Sequence, residues 1–376
     1  MKVLRTYYIF LISTVVISQE KEAIKYEDLY ERNGLIYASD QDSSFNGTVD
    51  ENWPTGINKL SYTYKNGKPD SKWSDWFNNG QPKEEVEYSD GIKNGLHKQW
   101  YKNGQQKFER TYKNGIHDGK WTEWYENGQS MVEGNFLDGK PDGTWIYWYP
   151  NGQKREEGNP VSSDTSSLAF LNDGIWNYWH PNGQLKETGN YISGEKDGQW
   201  FEWHDNGQIR LKETYKANKK NGKWLSWFYN GQIEIEGDYI NDKKSGKWIT
   251  WYPWGWRSYE INGGNNESSF ILWFDDQQRS SEGFYRNDVR DQTWVWWSRE
   301  GILDSSGVFN RGIRSGKWTF RDPEANKQLE GRYQDGMLSD LITVAIDEAF
   351  NEAVSYTHLR AHETKANLVC RLLLEK

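Results

Sequence analysis

The chain has 376 residues, a net charge of −9, and only three Met beside its 23 Trp and 23 Tyr, so rings must do most of the burying. Aromatic and β-branched enrichment with 36 Gly favours strands and tight turns and excludes a helical protein. Lys is interspersed with Asp and Glu without a basic stripe or polybasic patch, which argues against nucleic acid or a membrane surface as partner.

Residues 1–18 have the layout of a secretory signal peptide: Lys2 and Arg5, then an apolar run over 7–17, then the small Ser18. The run is short for a membrane span, and an uncleaved N-terminal anchor is the alternative. No Cys follows it, so there is no lipoprotein attachment site. The expectation is export to the periplasm, the outer surface or the extracellular space. Residues 19–50 form a lead-in and an atypical first repeat.

Over residues 51–338 one phrase recurs, clearest as Trp121-Thr-Glu-Trp124-Tyr125-Glu-Asn127-Gly128-Gln129. Its second Trp falls at 76, 100, 124, 148, 179, 203, 227, 251, 273 and 297, a spacing of 24 broken by a seven-residue insertion near 162–167 and a two-residue deletion before Trp273. A short unit repeated this often buries its apolar surface only against its neighbours.

Numbering a unit from its first Trp, position 4 is Trp, position 5 mostly aromatic, and positions 7 to 9 are Asn-Gly-Gln. Position 13 is usually Glu, position 14 often Gly, position 16 Tyr or Phe, and positions 19 and 23 mostly Gly. Each unit therefore reads as one β-hairpin, and the chain as an all-β, elongated, single-layer antiparallel meander of tandem hairpins. Pro150, Pro181 and Pro253 precede the Asn-Gly slot. A two-residue type I′ loop needs that residue's N–H, so a type I turn with a glycine bulge is expected.

That turn, carried along both strands without further irregularity, pairs Glu133 with Trp121 and sorts the faces. Trp124, Thr122, Val132, Gly134 and Phe136 are assigned to packing. The expected contact face is Trp121, Tyr125, Glu133, Trp145, Tyr149, Glu157, Trp200, His204, Trp224, Phe228 and Glu236.

The stretch Gly134-x-Phe136-x-x-Gly139-x-x-x-Gly143-x-Trp145 resembles the core of MORN repeats, and the Trp-x-x-Trp-Tyr-x-Asn-Gly-Gln phrase resembles the bacterial variant in proteins labelled YwqK-family antitoxins. The lead-in Leu29-Tyr-Glu-Arg-Asn33-Gly34-Leu-Ile-Tyr37 is similar to the opening of such arrays, so the resemblance covers roughly residues 26–338. It implies a solenoid-like run of hairpins with a scaffold or binding role. The label also names an antitoxin, the remotest reading, since a cytoplasmic antitoxin carries no export signal.

His180 and His204 fall at position 5, where other units have Tyr or Phe, and His97 replaces a position 1 Trp. They read as planar substitutes in a ring column. His117 reads as part of a connecting loop, as do Lys140-Pro-Asp142, Glu195-Lys-Asp197 and Lys243-Lys244. No His/Cys cluster has metal-ligand spacing and no glycine loop precedes a helix, so no enzyme, metal or cofactor is expected. The Glu of position 13 reads as the partner of Lys near position 24 (Lys120, Lys223, Lys247), with an acidic row between rings as the functional rival.

Residues 339–354 form a C-terminal segment. Residues 355–376 hold the single Cys370, abandon the repeat composition and resemble a translated sequencing-adapter read-through, so they are expected to be non-native. Two functions follow: a non-enzymatic exported scaffold that holds a protein partner along an extended sheet, or a module that binds envelope carbohydrate on Trp and Tyr platforms.

Overall fold

The computed structural model describes residues 24–39, 41–162, 170–264, 266–322, 327–344 and 357–358. The export segment 1–18, the insertion beyond Ser162 and the tail 355–376 lie outside these residues, except that Thr357 and His358 pair with Thr343 and Ile342. Apart from one 3-10 turn at Tyr26–Asp28, every described regular element is a strand. The chain divides into two compact units. One runs to Gln129 and includes Phe136–Gly139, and the other comprises Ser130–Asn135 and the residues from Lys140 onward.

In each unit the strands pair antiparallel with their sequence neighbours, from Gly47–Asn52 to Ile116–Trp124 in the first and from Lys140–Trp148 to Met337–Val344 in the second. The first unit also carries the separate ladder Leu29–Arg32 with Leu35–Ala38. Among the described residues, no pairing joins the first strand of either unit's sheet to its last, so neither sheet closes on itself. A buried cluster of Ala38, Phe45, Val49 and Tyr64 lies near the start of the first unit, and one of Trp294, Phe309, Trp318, Phe320, Leu329 and Tyr333 near the end of the second.

The hairpin Lys140–Trp148 with Lys154–Ser162 shows the common geometry. Gly152 N–H donates to Tyr149 O at 2.9 Å, Tyr149 N–H donates to Gln153 O at 2.8 Å, and Gly152 has φ +83°. This is the type I turn with a glycine bulge that Pro150 demands. One pair further in, the ladder shifts again: Trp148 pairs with Lys154, but Tyr147 pairs with Glu156, so Arg155 is an extra residue. The same shift recurs before Trp179, Trp203, Trp227 and Trp251.

This second bulge corrects the expected register and its faces. Trp145 pairs with Gly158 and Ile146 with Glu157, so the first Trp lies opposite position 14, not the Glu of position 13. A one-residue slip exchanges faces. Positions 1, 3, 12, 14 and 16 share one side, and positions 2, 4 and 13 share the other.

At the opposite edge, hairpins meet through two-residue turns with both residues left-handed, such as Ser193 (φ 50°) and Gly194 (φ 86°). These are type I′ turns. Gly194 N–H also donates to Asn172 O of the preceding hairpin at 2.8 Å, and Ser193 N–H to the Asp173 side chain at 2.9 Å.

Candidate interaction surfaces

The first Trp of each unit is a structural ring. Trp145, Trp176, Trp200, Trp248, Trp294 and Trp318 are all 1–5% exposed. Each leans over the position 14 glycine of the preceding hairpin: a Cβ added to Gly158 would sit 2.2 Å from Trp176, and one added to Gly189 2.1 Å from Trp200. Position 16 of the preceding hairpin meets the indole edge-on, as Tyr191 meets Trp200 at 4.8 Å and Phe309 meets Trp318 at 5.0 Å. A cation from position 21 covers the ring: Lys196 over Trp200 at 3.8 Å, Lys244 over Trp248 at 4.3 Å, Arg314 over Trp318 at 4.6 Å. In Trp200, Trp294 and Trp318 the indole N–H donates to a backbone carbonyl of the preceding hairpin.

The chain itself shows that the glycine permits the burial. All six deeply buried rings follow a glycine at position 14. Where Val86, Arg110, Glu213 or Ile261 takes that place, the next ring is His97, a half-buried Trp121, a half-buried Trp224 or Phe270. That co-variation was legible in the sequence and fixes the packed face. Lys196 and Lys244 are accordingly ring covers, and not the freely solvated turn residues their composition suggests. His117 is also not in a loop: it occupies strand Ile116–Trp124 at position 21, with Trp121 at 4.8 Å and Phe136 at 5.1 Å. Burial, then the nearby Arg110, Lys93 and His97, pushes its pKa down to about 4.

The Asn-Gly-Gln phrase is a ladder along one edge. Asn206 Oδ1 accepts the Gln208 N–H at 2.9 Å within its own loop, and Asn206 Nδ2 donates to Tyr229 O of the next loop at 3.0 Å. Asn182 and Asn230 repeat both bonds. Position 5 ties the same edge, since Tyr149 Oη donates to Trp179 O at 2.8 Å, and His180 and His204 Nε2 lie 2.9 and 3.1 Å from Trp203 O and Trp227 O. The two histidines thus act as donors, which the Tyr hydroxyls do elsewhere.

The residues expected to make a contact face therefore separate. Trp145 and Trp200 are buried, and Trp121 and Trp224 are half-buried in the same ring column, with Arg110 lying 3.9 Å over Trp121. Tyr149 and His204 serve the edge ladder, where the half-buried Tyr125 and Phe228 take the same position. Glu133, Glu157 and Glu236 stand on the other side of the sheet. There Glu236 pairs with Lys223 at 3.5 Å, and Glu260 with Lys247 at 2.8 Å, as their spacing suggested, while Glu157 takes Lys154 at 2.6 Å. Trp124, assigned to packing, lies on that side with the other position 4 rings, all half-buried, beside the fully buried Thr122. The open surface is thus the row Trp148, Trp179, Trp203 and Trp227 with Ile146, Phe201 and Leu225 between them, edged by Lys–Glu pairs. Among the described residues no group of three or more His, Cys, Asp or Glu is placed to hold a metal.

No curated protein matches the chain. The crystal structures of TcdB2-TccC3 and TcdB2-TccC3-TEV are similar at 10% and 11% identity, covering 80% of this chain and 17% of theirs, each with a TM-score of 0.16. The chain thus spans less than a fifth of the length of those proteins. The family described as MORN repeat variant matches residues 93–114, 118–138, 141–159, 172–193, 196–217 and 220–241. Each match spans one hairpin as described above, so over these six copies the chain is similar to that family.

Proposed function

We propose that this protein is an exported, non-enzymatic scaffold that holds a protein partner along the face carrying the second Trp of each unit. The observation that supports this reading is the division of labour between the two Trp rows. The first is deeply buried wherever a glycine precedes it, while Trp148, Trp179, Trp203 and Trp227 are only half-buried, at regular intervals beside apolar side chains and paired charges. Interfaces favour such rings, and a periodic row of weak sites gains avidity by linkage. Export rests on the charged start, apolar run and Ser18 of the sequence. Mass spectrometry of protein made in a secreting bacterial host reads a mature start at Gln19, and an intact Met1 on a soluble cytoplasmic product refutes export.

The partner test is quantitative affinity capture from the envelope fraction with wild type and with Trp148→Ser/Trp179→Ser/Trp203→Ser, both verified folded by circular dichroism. A partner retained by wild type and reduced at least tenfold by the variant supports the reading. Equal capture by both proteins refutes it. Neither the family match nor the sheet favours an antitoxin role. A second reading, envelope glycan binding, loses Trp145 and Trp200 as platforms because their faces are covered, but two other indoles keep it alive.

A further inference from the structure

Two adjacent loops break the repeat phrase in a coordinated way. At 252–256 the Asn and Gln of positions 7 and 9 are replaced by Trp254 and Trp256, and at 274–278 the Gly of position 8 is replaced by Gln277. Trp254 still makes the inter-loop bond that Asn makes elsewhere, donating from Nε1 to Asp275 O at 3.2 Å. Its ring is nevertheless 54% exposed and that of Trp256 40% exposed, so much of their surface is left open. Trp254 stacks on Tyr252 at 5.0 Å and 6° between planes, which holds its outer face fixed. Gln277 sits at φ +72°, the left-handed region where the other loops use glycine, and so takes up backbone strain the fold does not require.

These departures border one place. A hollow of about 370 Å³ is lined by Trp251, Gly255, Trp256, Arg257, Trp273 and Gln277, where the row of second Trp rings meets the loop edge. Its volume lies in the range of small-ligand sites. Three indoles border the hollow, whose exposed lining is more polar than apolar, and Arg257 and Gln277 supply hydrogen-bond donors and an amide acceptor. Arg257 is held only loosely, 3.5 Å from Glu260, whose closer partner is Lys247 at 2.8 Å. No carboxylate lines the hollow, which disfavours a cationic ligand.

We propose that this hollow, flanked by Trp254, is a glycan-binding site in which indoles stack on the C–H faces of a pyranose while Arg257 and Gln277 bond its hydroxyls. It deepens the glycan reading and is independent of the protein partner proposed for the row Trp148 to Trp227. Stacking an amphipathic ring on an amphipathic sugar face uses both the apolar body and the polar rim of each partner.

The repeat supplies a variant designed to fold. Trp254→Asn/Trp256→Gln/Gln277→Gly restores the phrase present in the neighbouring loops, with its ladder bonds intact. Full-length wild type and this variant would be titrated calorimetrically with chitohexaose and laminarihexaose, and both screened on a glycan array. The expected result is wild-type binding to at least one oligosaccharide, a loss of tenfold or more in the variant, and an equal or higher melting temperature. Equal binding by the variant, or no wild-type binding to either probe or the array, overturns the site. Partner capture by the Trp148, Trp179 and Trp203 variant is read separately, so each proposal fails on its own measurement.

Discussion

Gly189→Ala adds one methyl group to a protein that has no room for it. The new Cβ would lie 2.1 Å from Trp200 Cδ2 and 2.2 Å from Cε2. Carbon atoms pack at about 3.5–4.0 Å, so the indole must withdraw by roughly 1.4 Å or more. It has nowhere to go: Trp200 is 1% exposed, with Tyr191 at its edge, Lys196 over its face and its N–H on Asn190 O at 3.2 Å. Overpacking costs about 1–3 kcal/mol and the strained indole hydrogen bond about 1 kcal/mol more, against a gain of about 0.5–1 kcal/mol from replacing a strand glycine. The net expectation is a loss of about 2–3 kcal/mol in urea denaturation followed by circular dichroism. In a Trp200→Ala background the same change becomes neutral or slightly stabilising, giving a coupling of about 2–4 kcal/mol. Gly198→Ala is the control, since nothing lies within 4 Å of its added Cβ; at φ +79° it carries only a backbone cost of about 1–2 kcal/mol and does not couple to Trp200. Additivity of Gly189→Ala and Trp200→Ala within about 0.5 kcal/mol would refute the glycine–indole account of the fold.

Two further outcomes follow from the corrected register and the buried histidine. Trp200→Ala should cost about 3–5 kcal/mol and the half-buried Trp203→Ala clearly less, and denaturant titrations giving the opposite order would reinstate the register without the second bulge. His117, held neutral to about pH 4, binds fewer protons folded than unfolded below pH 6.5. Its contribution is therefore complete above pH 6.5 and is lost as pH falls towards 4, by up to about 3 kcal/mol. His117→Phe should flatten that part of the stability profile relative to wild type, and parallel profiles would show that the imidazole is not the titrating group.

The hairpin, its period and the turn at the Asn-Gly edge were legible because proline and glycine mark backbone conformations directly. Pro150, Pro181 and Pro253 exclude the two-residue loop on covalent grounds. The face assignment failed one step later, because the second bulge falls on Arg155, Lys186, Arg210 and Glu234, ordinary polar residues that carry no conformational marker. Side-chain alternation has period two, so one unmarked residue exchanged the first-strand rings Trp121 and Trp124 between the faces, while Phe136 of the second strand stayed on the packed side. The pairing of Lys223 and Lys247 with Glu236 and Glu260 was nonetheless anticipated from their recurrence and opposite charge, although only the observed register puts both partners on one side of the sheet. The ring-covering role of Lys196 and Lys244 was not visible, since a lysine two residues past a turn has the same composition whether solvated or lying on an indole.

A repeat array separates what its fold needs from what it merely tolerates, because each position has neighbours to compare with. At 97–110 the ring and the glycine are both lost, yet each replacement finds a nearby carboxylate: His97 Nε2 lies 2.7 Å from Glu84, and Arg110 bonds Glu123 at 2.6 Å and covers Trp121. The His97 hydrogen bond also lowers the Glu84 pKa, the mark of a paired buried group. Those departures are met by charged partners, although Arg110 Nε is left buried without a hydrogen-bond partner. The departures at 254, 256 and 277 are of the other kind. One ladder bond survives in each loop, the inter-loop one through Trp254 and the in-loop one through Asp276, and what the substitutions add is exposed ring surface and a strained side chain beside a hollow. Ring surface left open where asparagine or glutamine suffices elsewhere in the same chain is the surface on which the proposed glycan would stack.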